Sequence, residues 1–273
     1  MLPLHFLLKD SAMKHKFFVI SVILVISTLA LSSGCSGMSS SIPKPASSIT
    51  VSEQTGNNLS ANHKTTPTTE VASYGYQNGD TFLRKYQNDN RIKQIILVEQ
   101  AKTELSVGTL TLLIKDDKNT WSEKLHCKAY LGKNGLDKQR EGDTRTPSGD
   151  YGFLMAFGAK DDPGSAIPYT KLTDTMYLCG DKEYYNQFID VSKFQHTCSK
   201  NSEHLIRYIP QYNYALFLDY NKENTYGKGS AIFLHCFGSN PYTLGCISVA
   251  EENMIKILKT ISPTARICIY SGK

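Results

Sequence analysis

Gly229-Ser-Ala-Ile-Phe-Leu-His235, with Thr243-Leu-Gly-Cys246 close behind it, is the stretch from which the rest of this 273-residue chain can be read. Its apolar, partly β-branched run has the composition of a strand. It delivers a histidine eleven positions ahead of a cysteine that follows a glycine. A thiol alone is a weak nucleophile near neutral pH and needs a base close by and the positive end of a dipole to favour the thiolate. Behind the cysteine, Ser248-Val-Ala-Glu251 has the form of a capping box. It opens a predicted helix over 251–261, whose Met254, Ile257, Leu258 and Ile261 recur at helical spacing. Cys246 is therefore expected just upstream of a helix N-terminus, where the macrodipole favours negative charge and free N–H groups can hold an oxyanion. The competing reading makes Cys246 a small buried hydrophobe and His235 a core histidine.

Outward from this stretch the pattern is strand-like from Arg91 onward: Ile95-Ile-Leu-Val98, Thr109-Leu-Thr-Leu-Leu-Ile114, Lys124-Leu-His-Cys-Lys-Ala-Tyr-Leu131, Tyr214-Ala-Leu-Phe-Leu218 and Ala231-Ile-Phe-Leu234. Turn signals such as Gly132-Lys-Asn-Gly135 separate the runs, and Ala265-Arg-Ile-Cys-Ile-Tyr270 reads as a closing strand. The expected fold is mainly β, an antiparallel sandwich or partly open barrel with few helices. The Tyr-rich stretch 163–200 reads as a long loop or lid beside a cleft.

The N-terminal third is different. Lys14-His-Lys16, the apolar run Phe17–Leu31 and Ser32-Ser-Gly-Cys35 have the three regions of an export signal. Residues 1–35 are assigned to that signal. Positions 36–85, rich in Ser, Thr, Asn, Pro and Gly, read as a flexible tether, and 86–273 as the functional domain. Losing residues 1–34 removes three basic residues and one acidic one, so the formal charge falls from +5 to +3. That is too mild a balance to point to nucleic acid.

The segment from His235 to Ile247 resembles the active-site signature of the L,D-transpeptidase (YkuD-type) family, a histidine followed by a Ser/Thr-x-Gly-Cys element. Arg140-Glu-Gly-Asp-Thr-Arg-Thr-Pro-Ser-Gly-Asp-Tyr-Gly-Phe153 is similar to that family's Thr-Pro-x-Gly-x-Tyr/Phe stretch, and the resemblance spans most of 91–273. It implies a cysteine-dependent exchange on peptidoglycan stem peptides. Cys246 would be the nucleophile and His235 the base, oriented by the carbonyl of Cys236. Leu244, Gly245 and Cys246 would offer oxyanion N–H groups, with Thr243 and Tyr242 beside the substrate. An L,D-carboxypeptidase, an enzyme joining another amine or protein to the wall, and a non-catalytic wall-binding lipoprotein remain open. Many members carry an arginine two positions after the cysteine where this chain has Ser248, and Arg145 is the expected substitute because a guanidinium pairs with a planar carboxylate. The N-terminus in turn resembles a bacterial lipoprotein signal acylated at Cys35, which implies a cell-envelope location and a membrane anchor.

Five further cysteines, Cys127, Cys179, Cys198, Cys236 and Cys268, form an odd set, from which Cys179 with Cys198 is the disulfide to test. Cys127, Cys236 and Cys268 are expected in the core. His196, Cys198 and His204 hold ligand atom types, but their spacing matches no recognised zinc pattern. No metal and no cofactor is expected.

Overall fold

Ile95-Ile-Leu-Val98 is apolar at every position, as a strand covered on both faces must be. The computed structural model describes residues 79–272 and bears this out, while the export signal, Cys35 and most of the 36–85 stretch lie outside the described residues. Helix α1 (Gly79–Tyr86) leads into a meander of β1 (Gln94–Gln100), β2 (Val107–Lys115) and β3 (Trp121–Tyr130). After a long turn come β4 (Gly149–Tyr151), β5 (Phe153–Gly158), β6 (Tyr169–Lys171), β7 (Met176–Leu178), β8 (Phe188–Asp190) and β9 (Glu203–His204). The chain closes with β10 (Ala215–Leu218), β11 (Phe233–Cys236), β12 (Ile247–Val249), α2 (Glu251–Thr260) and β13 (Arg266–Ser271).

Ten of these strands form one curled sheet, a half-barrel in the order β4-β13-β1-β2-β3-β12-β11-β10-β5-β6, and β8-β7-β9 form a small second sheet. The fold is mainly β as expected. Most neighbours are antiparallel, but β1 with β13, β11 with β12 and β5 with β6 run parallel.

Strand alternation sorts the core. On one face Ile96 and Val98 of β1, Leu216 and Leu218 of β10, Leu234 and Cys236 of β11 and Ile267 and Ile269 of β13 meet Met254, Ile257 and Leu258 of α2. Their neighbours face the other way. Ile95, Leu97, Cys268 and Tyr270 pack under Leu83 and Tyr86 of α1. Phe157, Ala215, Phe217 and Phe233 pack under Met176 and Leu178 of the small sheet. Cys236 and Cys268 are core thiols as expected, and Cys127 is half-buried against the first cluster.

Three expectations need correction. The tether reading ran to 85, yet 79–85 belong to α1, whose Leu83 is fully buried. Lys85 Nζ and Tyr86 OH donate to Asp150 Oδ2 at 2.7 and 2.5 Å, and Arg266 Nε donates to Oδ1 at 2.8 Å. The stretch 163–200 is a framework of short strands rather than an irregular loop. Ser248 is not a cap. It is the middle residue of β12, opposite His235 and Tyr130, and α2 starts after Ala250 with no side-chain cap. Ile247 and Val249 are fully buried, and placing both in the core outweighs the ~1 kcal/mol of one capping bond.

If α1 is part of the domain, Leu83→Ala should cost roughly 2–5 kcal/mol in denaturant unfolding. A loss within experimental error would return α1 to the tether.

Candidate active site

The parallel register of β11 and β12 pairs Leu234 with Ile247 and His235 with Ser248. By alternation, Cys246 just ahead of β12 shares the face of Phe233 and His235, diagonal to the imidazole. With strands ~4.8 Å apart and a rise of ~3.3 Å per residue, the two Cβ atoms stand roughly 8 Å apart. Both side chains border one cavity of about 270 Å³, together with Tyr242, Thr243, Leu244 and Ser248. A second cavity of about 570 Å³ lies on the other side of the thiol, lined by Lys138, Glu141, Tyr185, Ala231 and Gly245. Cys246, Leu244 and Glu203 border both.

Each group is held by backbone. His235 Nδ1 donates to Cys236 O at 2.7 Å, which leaves Nε2 as the acceptor nitrogen. The Tyr212 ring meets the imidazole edge-on at 5.5 Å between centroids. The Cys246 thiol donates to Ala231 O at 3.0 Å, and Phe233 N–H donates to Sγ at 3.4 Å. Ala231 has φ +55°, sparsely populated for a residue with a Cβ, and its N–H is fixed by Asn186 Oδ1 at 3.0 Å.

The two sequence motifs meet here. Thr146 Oγ1 accepts from Gly132 N–H at 2.8 Å and donates to Cys246 O at 3.2 Å, across a hundred residues of chain. Thr243 Oγ1 donates to the same carbonyl at 2.6 Å and accepts from Gly245 N–H at 3.1 Å. The loop is also tied to the end of β3, with Thr243 N–H on Leu131 O and Lys133 N–H on Thr243 O. Gly245 has φ +151°, and a Cβ there would meet Arg145 O at 3.1 Å and Ile232 Cδ1 at 3.3 Å.

The expected dipole activation is absent. Three residues of β12 and Ala250 separate Cys246 from α2, about 13 Å of extended chain, beyond the first-turn reach of a helix terminus. Burial instead pushes the Cys246 thiol up to about 12, with the Glu203 carboxylate adding to it. Burial also lowers His235 to about 4, against the opposing bond to Cys236. The resting pair is neutral thiol and neutral imidazole.

The model of the YkuD L,D-transpeptidase catalytic domain matches residues 93–269. The chain belongs to this family. No curated protein matches the chain. Membership supports L,D-transpeptidase-type activity on peptidoglycan.

In this L,D-transpeptidase domain Arg145 is not the cleft cation. It is exposed, its guanidinium donates to Leu136 O at 2.8 Å, and it borders neither cavity. Lys138 lines the larger cavity instead, buried, with its ammonium paired to Asp143 at 2.9 Å. Burial pushes Asp143 up, but the N–H groups of Gln139, Arg140 and Arg145 and the Lys138 ammonium outweigh it and hold it well below the usual carboxylate range. Tyr242 borders the smaller cavity as expected, with Lys133 Nζ over its ring at 5.4 Å. Trp121 and Tyr169 pack against core clusters elsewhere.

Sequence reasoning missed Glu203. Its carboxylate borders both cavities and accepts from Tyr212 OH at 2.8 Å, and burial raises it to about 7 despite that bond. Nothing local marks it, because a lone Glu ahead of His204 reads as solvated.

A carboxyl raised from 4.5 to about 7 holds its proton more tightly when folded. Its contribution is complete below its unfolded value and lost as the pH rises through about 7, worth up to about 3 kcal/mol. Between about pH 5 and pH 8, Glu203→Gln should therefore gain stability relative to wild type by an amount of that order in urea titrations. A pH-independent difference between the two proteins would contradict the burial of this carboxyl.

Proposed function

We propose that this domain is a cysteine-dependent L,D-transpeptidase that works on peptidoglycan stem peptides through a thioester. The observation that carries the proposal is the placement of Cys246 between two cavities with His235 bordering one of them. The larger cavity receives the donor stem. As its third-residue carbonyl arrives, the thiol turns from Ala231 O and gives its proton to His235 Nε2 while sulfur attacks carbon. Gly245 N–H is engaged by Thr243 Oγ1, so the N–H groups of Leu244 and Cys246 are the oxyanion donors.

Collapse breaks the C–N bond, and His235 returns the proton to the departing D-alanine amine. An acceptor amine then enters from the His235 side, attacks the thioester, passes its proton to the imidazole and restores the thiol. Leaving group and acceptor share the smaller cavity because one base must serve both. Glu203 stands where it can hold an incoming ammonium. The product is a 3→3 crosslink or a remodelled stem. Water in the acceptor place would make the enzyme a carboxypeptidase, and a product analysis with and without acceptor amine separates the two. An export signal ending at Cys35 fits this substrate, placing the domain in the cell envelope on a lipid anchor.

A neutral pair makes proton transfer part of the attack, so removal of the base should be costly. A carbapenem-type β-lactam should acylate the wild type, seen as a covalent mass increase, and leave Cys246→Ala unmodified. His235→Ala should acylate roughly 10²–10⁴-fold more slowly. An undiminished rate would remove His235 as the base, and no adduct on the folded wild type would return the domain to the wall-binding reading.

A further inference from the structure

Away from the active site, the small sheet carries a side-chain cluster that the transpeptidase chemistry does not use. Cys179 directly follows β7 and is fully buried, and His196 and Cys198 come back to it from the segment ahead of β9. The ligand atoms of these three side chains all lie within 4.8 Å of one another, and Cys179 Sγ stands 3.4 Å from His196 Nε2. His196 Nε2 is also 3.1 Å from Asp181 Oδ2, a carboxylate that accepts from Ser199 N–H at 2.9 Å. His204 is elsewhere, stacked on Tyr177 with Nε2 on Asp174 O at 2.7 Å.

We propose that Cys179, His196 and Cys198 bind one structural transition-metal ion of the zinc class; Asp181, beside His196 but outside their 4.8 Å cluster, swings in to complete the set. The donor set of two thiolates, one imidazole and one carboxylate suits a tetrahedral zinc site. Zinc bonds of about 2.3 Å to sulfur and 2.0–2.1 Å to nitrogen or oxygen give tetrahedral edges of roughly 3.6 Å for S···N and 3.3 Å for N···O. The observed 3.4 and 3.1 Å are close to those edges. Two short pieces, Cys-x-Asp and His-x-Cys, supply all four groups, so the ion closes the 179–198 segment on itself. Binding releases the two thiol protons.

A further observation favours an ion over a disulfide between the two thiols. A disulfide needs neither an imidazole nor a carboxylate, yet both converge here, and the Tyr184 ring packs on His196 at 4.5 Å between centroids. The small sheet also needs a clip. Its strands are two or three residues long, and so few short strands hold poorly by themselves.

The clip has a functional address. Leu178 and Gly180, which flank Cys179, and Asn201 and Glu203, three and five positions after Cys198, line the larger cavity at Cys246. Gly180 N–H donates to Ser202 Oγ at 2.9 Å, so the two arms that carry the ligands are already in contact. The ion would set the position of one wall of the donor cavity. The inference rests on the cluster and stands whether or not the transpeptidase reading does.

The test is elemental analysis of the full chain purified under reducing conditions, followed by exchange with Co²⁺ alone. The expected result is about one zinc per chain and, with cobalt, the thiolate charge-transfer band and intense d–d bands of a tetrahedral ion. Cys179→Ser and Cys198→Ser should lower bound metal at least ~10-fold, and Asp181→Asn less than either. Metal removal from the wild type should speed proteolysis within 179–202 while Cys246 keeps its alkylation by iodoacetamide. Three results overturn the proposal: two free thiols with no bound metal, a Cys179–Cys198 disulfide peptide in non-reducing mass spectrometry, or a cobalt spectrum unchanged in Cys198→Ser.

Discussion

The parallel pairing of β11 and β12 is the constraint on which the rest of the site depends. Had the two strands been joined in another register, a one-residue slip would have sent His235 and Cys246 to opposite faces of the sheet. What fixes the register is the other face. Leu234, Cys236, Ile247 and Val249 are all buried beneath α2, so the side that carries no chemistry pins the side that does. The twelve residues between Phe233 and Cys246 then return over the end of β3, where Thr243 and Thr146 hold the Cys246 carbonyl from two directions.

Burial has two consequences that pull against each other. It lowers the dielectric around the half-buried thiol and strengthens the hydrogen bonds it makes. It also disfavours both ionised partners, raising the thiol and lowering the imidazole. A preformed thiolate–imidazolium pair would need a compensating field, which the distance from α2 denies it. Reactivity in this domain is therefore tied to substrate, whose arrival must turn the S–H away from Ala231 O.

What the sequence made legible follows from local physics. β1, β2, β3, β10, β11, β13 and α2 announced themselves because their apolar runs or helical spacing are imposed by burial of whole faces. β12 did not, since Ile-Ser-Val is too short to show alternation and Ser248 three positions before Glu251 imitates a cap. The small sheet escaped for the same reason, its strands being two or three residues long. Within the site, Cys246, His235 and the Cys236 carbonyl were readable from one compact motif. Lys138 and Glu203 were not, because a charged residue between turns carries no mark of the cavity that tertiary folding will wrap around it. Arg145 was expected there for its geometry as a carboxylate partner, but its guanidinium donates to Leu136 O instead.

The account turns on His235 being a neutral imidazole, protonated at Nδ1 and open at Nε2, in the enzyme at rest. The most direct measurement is a ¹⁵N NMR titration of the histidine side chains, with His235 assigned by comparison with His235→Gln. The result expected is an Nδ1–H tautomer that persists through neutral pH and protonates only near about 4. An imidazolium at neutral pH, or a ring carrying its proton on Nε2, would contradict it.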